Sequence, residues 1–346
     1  MNDSLKNSVS GVRIAHEEME KIFFKILSSR GFTEEKSASI ARVFTDNSLD
    51  GVYSHGVNRF ARFIKYIDAK IININAEPAK KFSAGAIEQW DGNSGTGILN
   101  ALFSTERAMK IADEFGIGCV ALSNTNHWMR GGTYGRHAAK AGYTFIGWTN
   151  TTRNMPAWGA VDFRLGNNPL VISAPFKNDA IVLDMAMSQF SYGKMEAAKE
   201  KNSLLPYPGG FNKEGNLTND PAEILETWRA LPIGYWKGAG LALLLDLLAA
   251  ILSGGLSTHE ISRSEHEHNV SQIFFAVNVS KLGDRSAISK TVSTIIEDYQ
   301  SSVPAAGSGK ILFPGERAMF TRKENIETGI PVEQNIWNEI IKLLPA

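Results

Sequence analysis

The sequence predicts an α/β protein built on a mixed β-sheet, with helical segments at its N- and C-terminal ends. Three observations lead to this fold class. The first 70 residues carry apolar side chains at helical spacing. From about residue 85, short runs rich in β-branched and aromatic residues alternate with helical patterns, and from about residue 285 helical patterns return. We therefore predict a helical segment at 1–80, an α/β core at 81–284, and a helical segment at 285–346 that packs back on the first.

Three helices are expected in the N-terminal segment. The first ends at Gly31, and the second runs from an N-cap at Thr33 to a stop at Gly51. The third lies in the stretch DGVYSHGVNRFARFIKYID, with Ser54 as its candidate N-cap. At about 100° per residue this helix has one apolar stripe, which we expect in the core. The stripe consists of Phe60, Phe63, Ile64 and Ile67.

The core segment contains six short runs with the composition of strands. They are AIEQWDG, GCVALSN, FIGWTN, NPLVISAP, AIVLDMA and IFFAVNV. Helices are expected between some of them, and the stretch at 199–222, rich in Pro, Gly and Asn, is expected to be a long loop. The single cysteine, Cys119, falls inside a predicted strand, so we expect a buried and inert thiol.

Composition and charge disfavour several classes of protein. Lys plus Arg and Asp plus Glu both number 36, so no net charge attracts nucleic acid or anionic lipid. The N-terminal stretch lacks the apolar core of a signal peptide, and the apolar run at 241–252 contains Asp246 and is shorter than the roughly 20 residues that span a bilayer. The histidines at 259–268 lack metal-ligand spacing. We expect a cytoplasmic protein with a small-molecule partner, and no nucleic acid, membrane or metal.

The start of the third helix is a candidate site. His55, Arg59 and Arg62 fall on one stripe, because steps of three and four residues bring helical side chains together. Clustered cations favour an anion between them, and the helix N-terminus adds partial positive charge. A guanidinium suits a carboxylate, and an imidazole can transfer a proton near neutral pH. A solvated surface is the alternative. A hydrolase dyad of Ser54 and His55 is disfavoured because the G-x-S-x-G spacing is absent.

Two later stretches place polar side chains at predicted strands. In SNTNHWMRGGTYG, polar residues that include His127 end a strand before a glycine-rich turn opens a helix, which is where open α/β sheets bind ligands. Asp184 interrupts the apolar run IVLDMAM, and a buried carboxylate is costly unless it is paired. Orienting a histidine, as in a catalytic triad, would supply that pairing. A structural histidine and a structural ion pair remain the alternatives.

The segment GYWKGAG precedes a strongly apolar helix. Trp236 and Lys237 there could stack on a ligand and neutralise it. The glycines form only part of a dinucleotide fingerprint and do not follow a clear strand, so an ordinary Rossmann fold is not expected.

Six blocks, in order, resemble the malate/L-lactate dehydrogenase family, the sulfolactate dehydrogenase-like group that lacks a Rossmann fold. The blocks are SHGVNRF, NTNHWMRGGTYG, NNPLVISAP, LDMAMSQFSYG, GYWKGAGLAL and FPGE. The resemblance extends from about residue 12 to the C-terminus. It implies a non-Rossmann NAD-binding core, NADH-dependent reduction of a 2-oxo acid, and a homodimer. A 2-oxo sugar acid is the expected substrate, and NADPH stays open as the cofactor.

The resemblance also implies roles for individual residues. His55 matches the family's proton donor, Arg59 is expected to bind the substrate carboxylate, and Asp184 to orient the acid and raise the pKa of His55. Ser54 and His127 complete the expected catalytic set. The expected cofactor contacts are Asp179, Ala180, Ile181, Val182, Leu183, Asp184, Met185, Tyr235, Trp236, Lys237, Gly315, Glu316 and Arg317.

Two residues depart from the pattern that the resemblance implies. Asn167 stands in GNNP where relatives often have Thr, and Arg153 in NTTRNMPAWG is unexpected. Both lie near the presumed cleft, so they bear on substrate preference more than on reaction type. Three alternatives stay open: a reductase of another 2-oxo acid or a cyclic imine, a hydrolase that uses the His–Asp pair, and a non-catalytic protein that binds NADH.

Overall fold

The computed structural model describes residues 11–345. Within that range the strands are β1 (Gly11–Ile14), β2 (Ala79–Ala84), β3 (Ile87–Asp91), β4 (Ile117–Thr125), β5 (Tyr143–Thr149), β6 (Met155–Pro156), β7 (Phe163–Leu165), β8 (Leu170–Phe176), β9 (Asp179–Met185), β10 (Gly210–Phe211), β11 (Leu217–Thr218), β12 (Val270–Asn278) and β13 (Ile330–Glu333).

The helices alternate with these strands through most of the chain. They are α1 (His16–Ser29), α2 (Glu34–Leu49), α3 (Val57–Asp68), α4 (Gly97–Phe115), α5 (Gly131–Lys140), α6 (Tyr192–Glu200), α7 (Pro221–Thr227), α8 (Trp236–Ser253), α9 (Thr258–Ile261), α10 (Arg285–Gln300), α11 (Glu316–Thr328) and α12 (Gln334–Ile341). A 3₁₀ turn at Tyr53–His55 precedes α3, and another lies at Val279–Lys281.

The central sheet has seven strands in the order β2-β3-β4-β12-β5-β8-β9. β3 and β4 are parallel, whereas the other neighbours are antiparallel, so the sheet is mixed and the predicted fold class is confirmed. Because β12 lies between β4 and β5, and β8 between β5 and β9, the strands β4, β5 and β9 run in one direction. Their C-terminal ends therefore meet at one end of the sheet, and the chain there carries His127, Arg153 and Asp184.

Helices cover both faces of this sheet. Apolar side chains of α4 and α5 pack on one face, and small side chains of α8 pack on the other. Cys119 is buried on the α8 side, and burial raises the pKa of its thiol to about 12, as expected for an inert core cysteine. By length and composition, α8 is the one helix in the described range that could cross a membrane, with 18 residues and a mean hydropathy of 1.6.

A second core lies between the N-terminal helices and the end of the chain. The rings of Phe23 and Phe60 stack with their centroids 3.9 Å apart, and Phe44 meets Phe60 edge-on at 5.1 Å. β1 pairs antiparallel with β13, and α12 contacts α3, so residues from both ends of the chain share this core. The stripe predicted to be apolar on α3 is buried in it, as Phe60, Phe63, Ile64 and Ile67 all are.

The entry into α3 differs from the prediction. Thr33 is the N-cap of α2, as predicted, with its side chain 3.3 Å from the Lys36 N–H. Ser54 is not the N-cap of α3, however, because the chain first makes the 3₁₀ turn and Gly56 takes that position. Ser48 of α2 accepts the Val57 N–H at 2.8 Å and so performs the capping from another element. A Cβ at Gly56 would lie 2.3 Å from the Ser48 hydroxyl, so this contact requires glycine.

The predicted loop at 199–222 is largely confirmed. α6 ends at Glu200 and α7 begins at Pro221, and between them only the short strands β10 and β11 pair.

Candidate active site

A cleft of about 700 Å³ opens at the end of the sheet where β4, β5 and β9 finish. This volume lies within the range of small-molecule sites. The 3₁₀ turn before α3 contributes Ser54 and His55, the segment after β4 contributes His127, and β9 contributes Asp184. The first turns of α5 and α11 also border the cleft. The topology thus brings together four of the five residues that the sequence analysis predicted to be catalytic.

His55 and His127 form the centre of the cleft. Their rings stack with centroids 5.7 Å apart and an interplanar angle of 25°. His127 Nδ1 accepts the Met129 N–H at 2.9 Å, so the neutral ring of His127 carries its proton on Nε2. His55 Nδ1 lies 3.0 Å from the Ser54 hydroxyl, and Asn47 donates to the His55 carbonyl at 2.9 Å. These bonds fix both rings from their backbone side.

Both histidines are neutral at physiological pH. The pKa of His55 is lowered to about 3, mainly by burial and then by the neighbouring His127, Arg59 and Arg130, against an opposing effect of Glu267. Burial likewise lowers the pKa of His127 to about 3, together with Arg59 and Arg62. The expectation that Asp184 raises the pKa of His55 is therefore wrong. Burial is the largest cause of the lowered pKa of His55, and the neighbouring cations add to it, whereas Asp184 is not among the causes.

Asp184 serves α5. Its Oδ2 accepts the Gly132 N–H at 2.8 Å and lies 3.7 Å from Arg130 Nε. Among residues 11–345 no hydrogen bond joins Asp184 to His55. β9 is the edge strand of the sheet, not a buried central one, and the Asp184 side chain is 24% exposed toward the cleft. A Cβ at Gly132 would lie 2.8 Å from Asp184 Oδ2, so the glycine permits this approach.

Arg59 lies beside the cleft. It lines a small cavity that it shares with His127, and a larger one that it shares with Arg62. Burial lowers the pKa of the Arg59 guanidinium, and so does the adjacent Arg62. No carboxylate of residues 11–345 lies within 4 Å of either guanidinium in an ion pair. This unpaired positive charge next to two histidines suits an anionic group of a ligand.

The sequence reasoning missed an ion network below the cleft. Asp50, only 7% exposed, contacts Arg130 and accepts from Arg322 Nε at 2.5 Å. Arg136 lies 3.6 Å from Asp50 and makes a two-bond pair with Asp179 at 2.6 and 2.7 Å. The network ties the end of α2 to α5 and α11. No local pattern could have identified it, because Asp50 and Arg322 are 272 positions apart.

Four of the expected cofactor residues line the cleft, namely Val182, Asp184, Gly315 and Arg317, and the last two with Val182 fit an anionic dinucleotide. The N-termini of α5 and α11 both face it, and helix N-termini bind phosphate. Arg317 lies in the first turn of α11 with no carboxylate partner in the described range. Gly315 has φ 93°, and a Cβ there would lie 3.2 Å from the Val182 nitrogen, so the PGE turn fits closely against β9. Val182, Gly315 and Arg317 could thus hold the diphosphate region.

The remaining expected cofactor residues lie elsewhere. Asp179 is paired with Arg136, and buried Glu316 accepts from Gln300 at 2.7 Å and from Lys310 at 3.0 Å. Tyr235, Trp236 and Lys237 begin α8 outside the cleft, with Tyr235 and Trp236 half or more exposed. The others are β9 residues that do not border the cleft, namely Ala180, Ile181, Leu183 and Met185.

Comparison with known proteins identifies the family. The sequence profile of the malate/L-lactate dehydrogenase family matches residues 14–341. The chain is 42% identical over 333 residues to a 2,3-diketo-L-gulonate reductase of Pasteurella multocida, covering 96% of this chain and 100% of the relative. It is 41% identical over 330 residues to the 2,3-diketo-L-gulonate reductase of Escherichia coli K12, covering 95% and 99%. The chain therefore belongs to the malate/L-lactate dehydrogenase family, and it is an oxidoreductase.

Solved structures of similar fold agree with this assignment. The malate dehydrogenase of Pyrococcus horikoshii OT3 has a TM-score of 0.89 at 27% identity, covering 98% of this chain and 97% of that chain. The sulfolactate dehydrogenase of Methanocaldococcus jannaschii has a TM-score of 0.87 at 29% identity, covering 96% of each chain.

Proposed function

We propose that this enzyme reduces the 2-oxo group of 2,3-diketo-L-gulonate to give 3-keto-L-gulonate, with NADH as the reductant. The observation that carries the proposal is the stacked pair of His55 and His127 beside the unpaired Arg59. Relatives that are 41–42% identical over nearly their whole length bear the name of this activity.

Arg59 binds the carboxylate of the 2-oxo acid in this proposal. A guanidinium offers two parallel N–H donors to a carboxylate, and charge-assisted bonds of this kind are about twice as strong as neutral ones. Arg59 is free for this role because no protein carboxylate within residues 11–345 pairs with it. Arg59 shares a small cavity with His127, which also lines the cleft with His55, and this supports a position of the adjoining ketone in the cleft.

His55 donates the proton. NADH, when bound, supplies the hydride that adds to the ketone carbon. The developing alkoxide needs a proton, and His55, which lines the cleft, provides it. In the free enzyme burial keeps His55 neutral, and the positive charge of Arg59 and Arg130 adds to that effect. A carboxylate bound at Arg59 offsets that charge and raises the pKa of His55, so the ring takes up a proton as the substrate binds. Donation of that proton returns the neutral imidazole.

His127 and Asp184 are positioning residues in this account. His127, held by the Met129 N–H, directs Nε2–H as a donor toward a substrate oxygen. Asp184 holds the first turn of α5 through Gly132 and keeps Arg130 at the cleft. The α5 and α11 N-termini and Arg317 hold the cofactor diphosphate. NADH is the proposed form, and NADPH is tested beside it.

We further propose that the enzyme acts in the cytoplasm as a homodimer, and that α8 forms part of the contact. One side of α8 packs on the sheet, and the other side leaves a run of large apolar side chains exposed. These are Leu241, Leu243, Leu244, Leu247, Leu248 and Ile251. A second copy of the chain would cover this surface, which a single chain leaves in water at a cost.

The test follows NADH absorbance with a panel of substrates. The panel contains 2,3-diketo-L-gulonate, pyruvate, oxaloacetate and a cyclic imine carboxylate, each with NADH and NADPH. We expect the highest kcat/KM for 2,3-diketo-L-gulonate with NADH. Preference for another member of the panel would move the enzyme to a different substrate within the same family. Constant absorbance with every member would contradict the reductase proposal.

A further inference from the structure

A second cavity opens beside the active-site cleft, which we call the tail cavity. It has a volume of about 370 Å³ and is bordered by Arg59 and Arg62 of α3, by Arg153 after β5, and by Glu265 and Glu267 before β12. The tail cavity lies at the same end of the sheet as the cleft, because β5 ends there and β12 begins there. Five charged side chains from three separate segments converge on this one space.

The tail cavity continues from the catalytic residues. A narrow cavity of about 20 Å³ lies between the two and is bordered by His127, which also lines the cleft. The same narrow cavity is bordered by Arg59, Arg62 and Glu267, which also line the tail cavity. Arg59 borders both the narrow cavity and the tail cavity, so a 2-oxo acid held by its carboxylate on Arg59 has the tail cavity next to the rest of its chain.

Several charged groups of the tail cavity are left without a charged partner by the rest of residues 11–345. Arg153 Nε is buried and has no hydrogen-bond partner. An N–H donor left in this state costs about 1–3 kcal/mol, so a ligand acceptor there would be favoured. Among residues 11–345, Arg153 pairs with no carboxylate, and Arg62 donates only to the Tyr66 hydroxyl at 3.0 Å. Glu267, by contrast, accepts from the Thr152 N–H and hydroxyl at 3.0 and 3.1 Å and forms the wall.

The charges indicate which kind of tail the cavity accepts. Three guanidinium groups and two carboxylates give a formal charge of +1. One substrate carboxylate on Arg59 cancels it, which leaves Arg62 and Arg153 balanced against Glu265 and Glu267. A second carboxylate would make the cavity negative. A hydroxyl, however, can accept from a guanidinium and donate to a carboxylate at the same time.

We propose that Arg153 and Glu265 are specificity-determining residues that bind the polyhydroxylated tail of a sugar acid, and that they select it over a methyl group or a second carboxylate. The proposal rests on the proposed function for the position of the substrate carboxylate. It assigns a role to Arg153, which the resemblance to the family did not lead us to expect.

The test measures binding and does not require turnover. Isothermal titration calorimetry with the full chain and NADH compares three 2-hydroxy acids, which NADH cannot oxidise. L-gulonate carries a polyol tail, L-lactate a methyl group and L-malate a second carboxylate. We expect the wild-type chain to bind L-gulonate most tightly. Arg153→Leu and Glu265→Gln should each weaken L-gulonate binding about 10-fold or more and L-lactate binding less than about 2-fold.

Arg164→Leu is the matched control, because Arg164 lies on the surface and pairs only with Asp162 at 2.6 Å. It should leave the preference for L-gulonate unchanged. Equal losses for all three acids, no loss, no binding by the wild-type chain, or a loss confined to L-malate would each overturn the tail assignment. The expected binding pattern without NADH oxidation on any 2-oxo acid would contradict the reductase proposal and leave the tail assignment in place.

Discussion

The rings of His55 and His127 stack at 5.7 Å with Arg59 beside them, although the sequence places the two histidines in different segments. Neither ring holds a proton readily, because burial disfavours the charged form of both and the nearby Arg59 guanidinium opposes a second positive charge. Both rings are therefore neutral until an anion arrives. This relationship makes the charge of the proton donor depend on the substrate, and it governs the first two predictions.

The free energy of unfolding should fall as the pH is lowered from 7 to 5. The two native histidines have pKa values of about 3, whereas in the unfolded chain they titrate near 6.5. Between those values the unfolded state binds more protons, so stability is fully present above about pH 6.5 and is lost as the pH falls toward 3. Each histidine contributes at most about 1.4 kcal/mol per pH unit. Urea denaturation at several pH values measures this decline.

His127→Gln should make the fall of the free energy of unfolding with decreasing pH shallower, because one of the two histidines with a lowered pKa is removed. His259→Gln, at an exposed position on α9, is the control and should keep the wild-type slope. A wild-type stability that is constant or rises from pH 7 to 5 would show that the two histidines are not held neutral.

Arg59→Ala should raise KM for the 2-oxo acid about 10- to 100-fold. A hydrogen bond to a charged group contributes about 1.5–3 kcal/mol, and no other unpaired guanidinium borders the narrow cavity except Arg62. The KM of Arg59→Lys should lie between those of the wild type and Arg59→Ala, because lysine keeps the positive charge but loses the paired N–H donors of the guanidinium. Steady-state kinetics with saturating NADH give both constants. A wild-type KM in Arg59→Ala would refute the carboxylate assignment.

Asp50→Asn should destabilise the fold by about 3–5 kcal/mol, because it leaves buried guanidinium groups without their shared carboxylate. Chemical denaturation measures the loss. Asp162→Asn removes an exposed partner of Arg164 and should cost less than about 1 kcal/mol. Equal effects of the two substitutions would mean that the network below the cleft adds no more than a surface pair.

Leu244→Asp should convert the proposed dimer to monomers in sedimentation equilibrium. The charge would lie in the middle of the exposed side of α8, where desolvation opposes association. Leu282→Asp changes a leucine outside α8 that is 66% exposed, against 55% for Leu244, and should leave the mass unchanged. A wild-type monomer would refute the homodimer, and a wild-type chain that sediments with lipid vesicles would instead assign α8 to a membrane.

Features set by local periodicity could be predicted from the sequence. The apolar stripe of α3, the Thr33 cap and six strands of the central sheet follow from spacing within short windows, and the structure agrees with them. The position of His127 after β4 also follows, because polar residues at a strand end mark the end of the sheet. Residues that the direction of the strands alone brings to one end of the sheet could therefore be predicted from the sequence.

Features set by distant pairings could not be predicted. The sequence gives no sign that β1 pairs with β13 or that β2 extends the sheet. The prediction of Ser54 as the N-cap of α3 is wrong, because Gly56 takes that position and Ser48, from another helix, accepts the Val57 N–H. The role of Asp184 was misjudged for the same reason. Its nearest donor is the Gly132 N–H, whose position depends on how α5 packs on the sheet.

The most direct test of the central claim is the turnover of His55→Gln with NADH and the preferred 2-oxo acid. Loss of a positioned proton donor should lower kcat by about 10²- to 10⁴-fold. KM should change little and the Kd of NADH, followed by its fluorescence, should match the wild type. A variant that retains near-normal kcat would contradict the assignment of His55 as the proton donor.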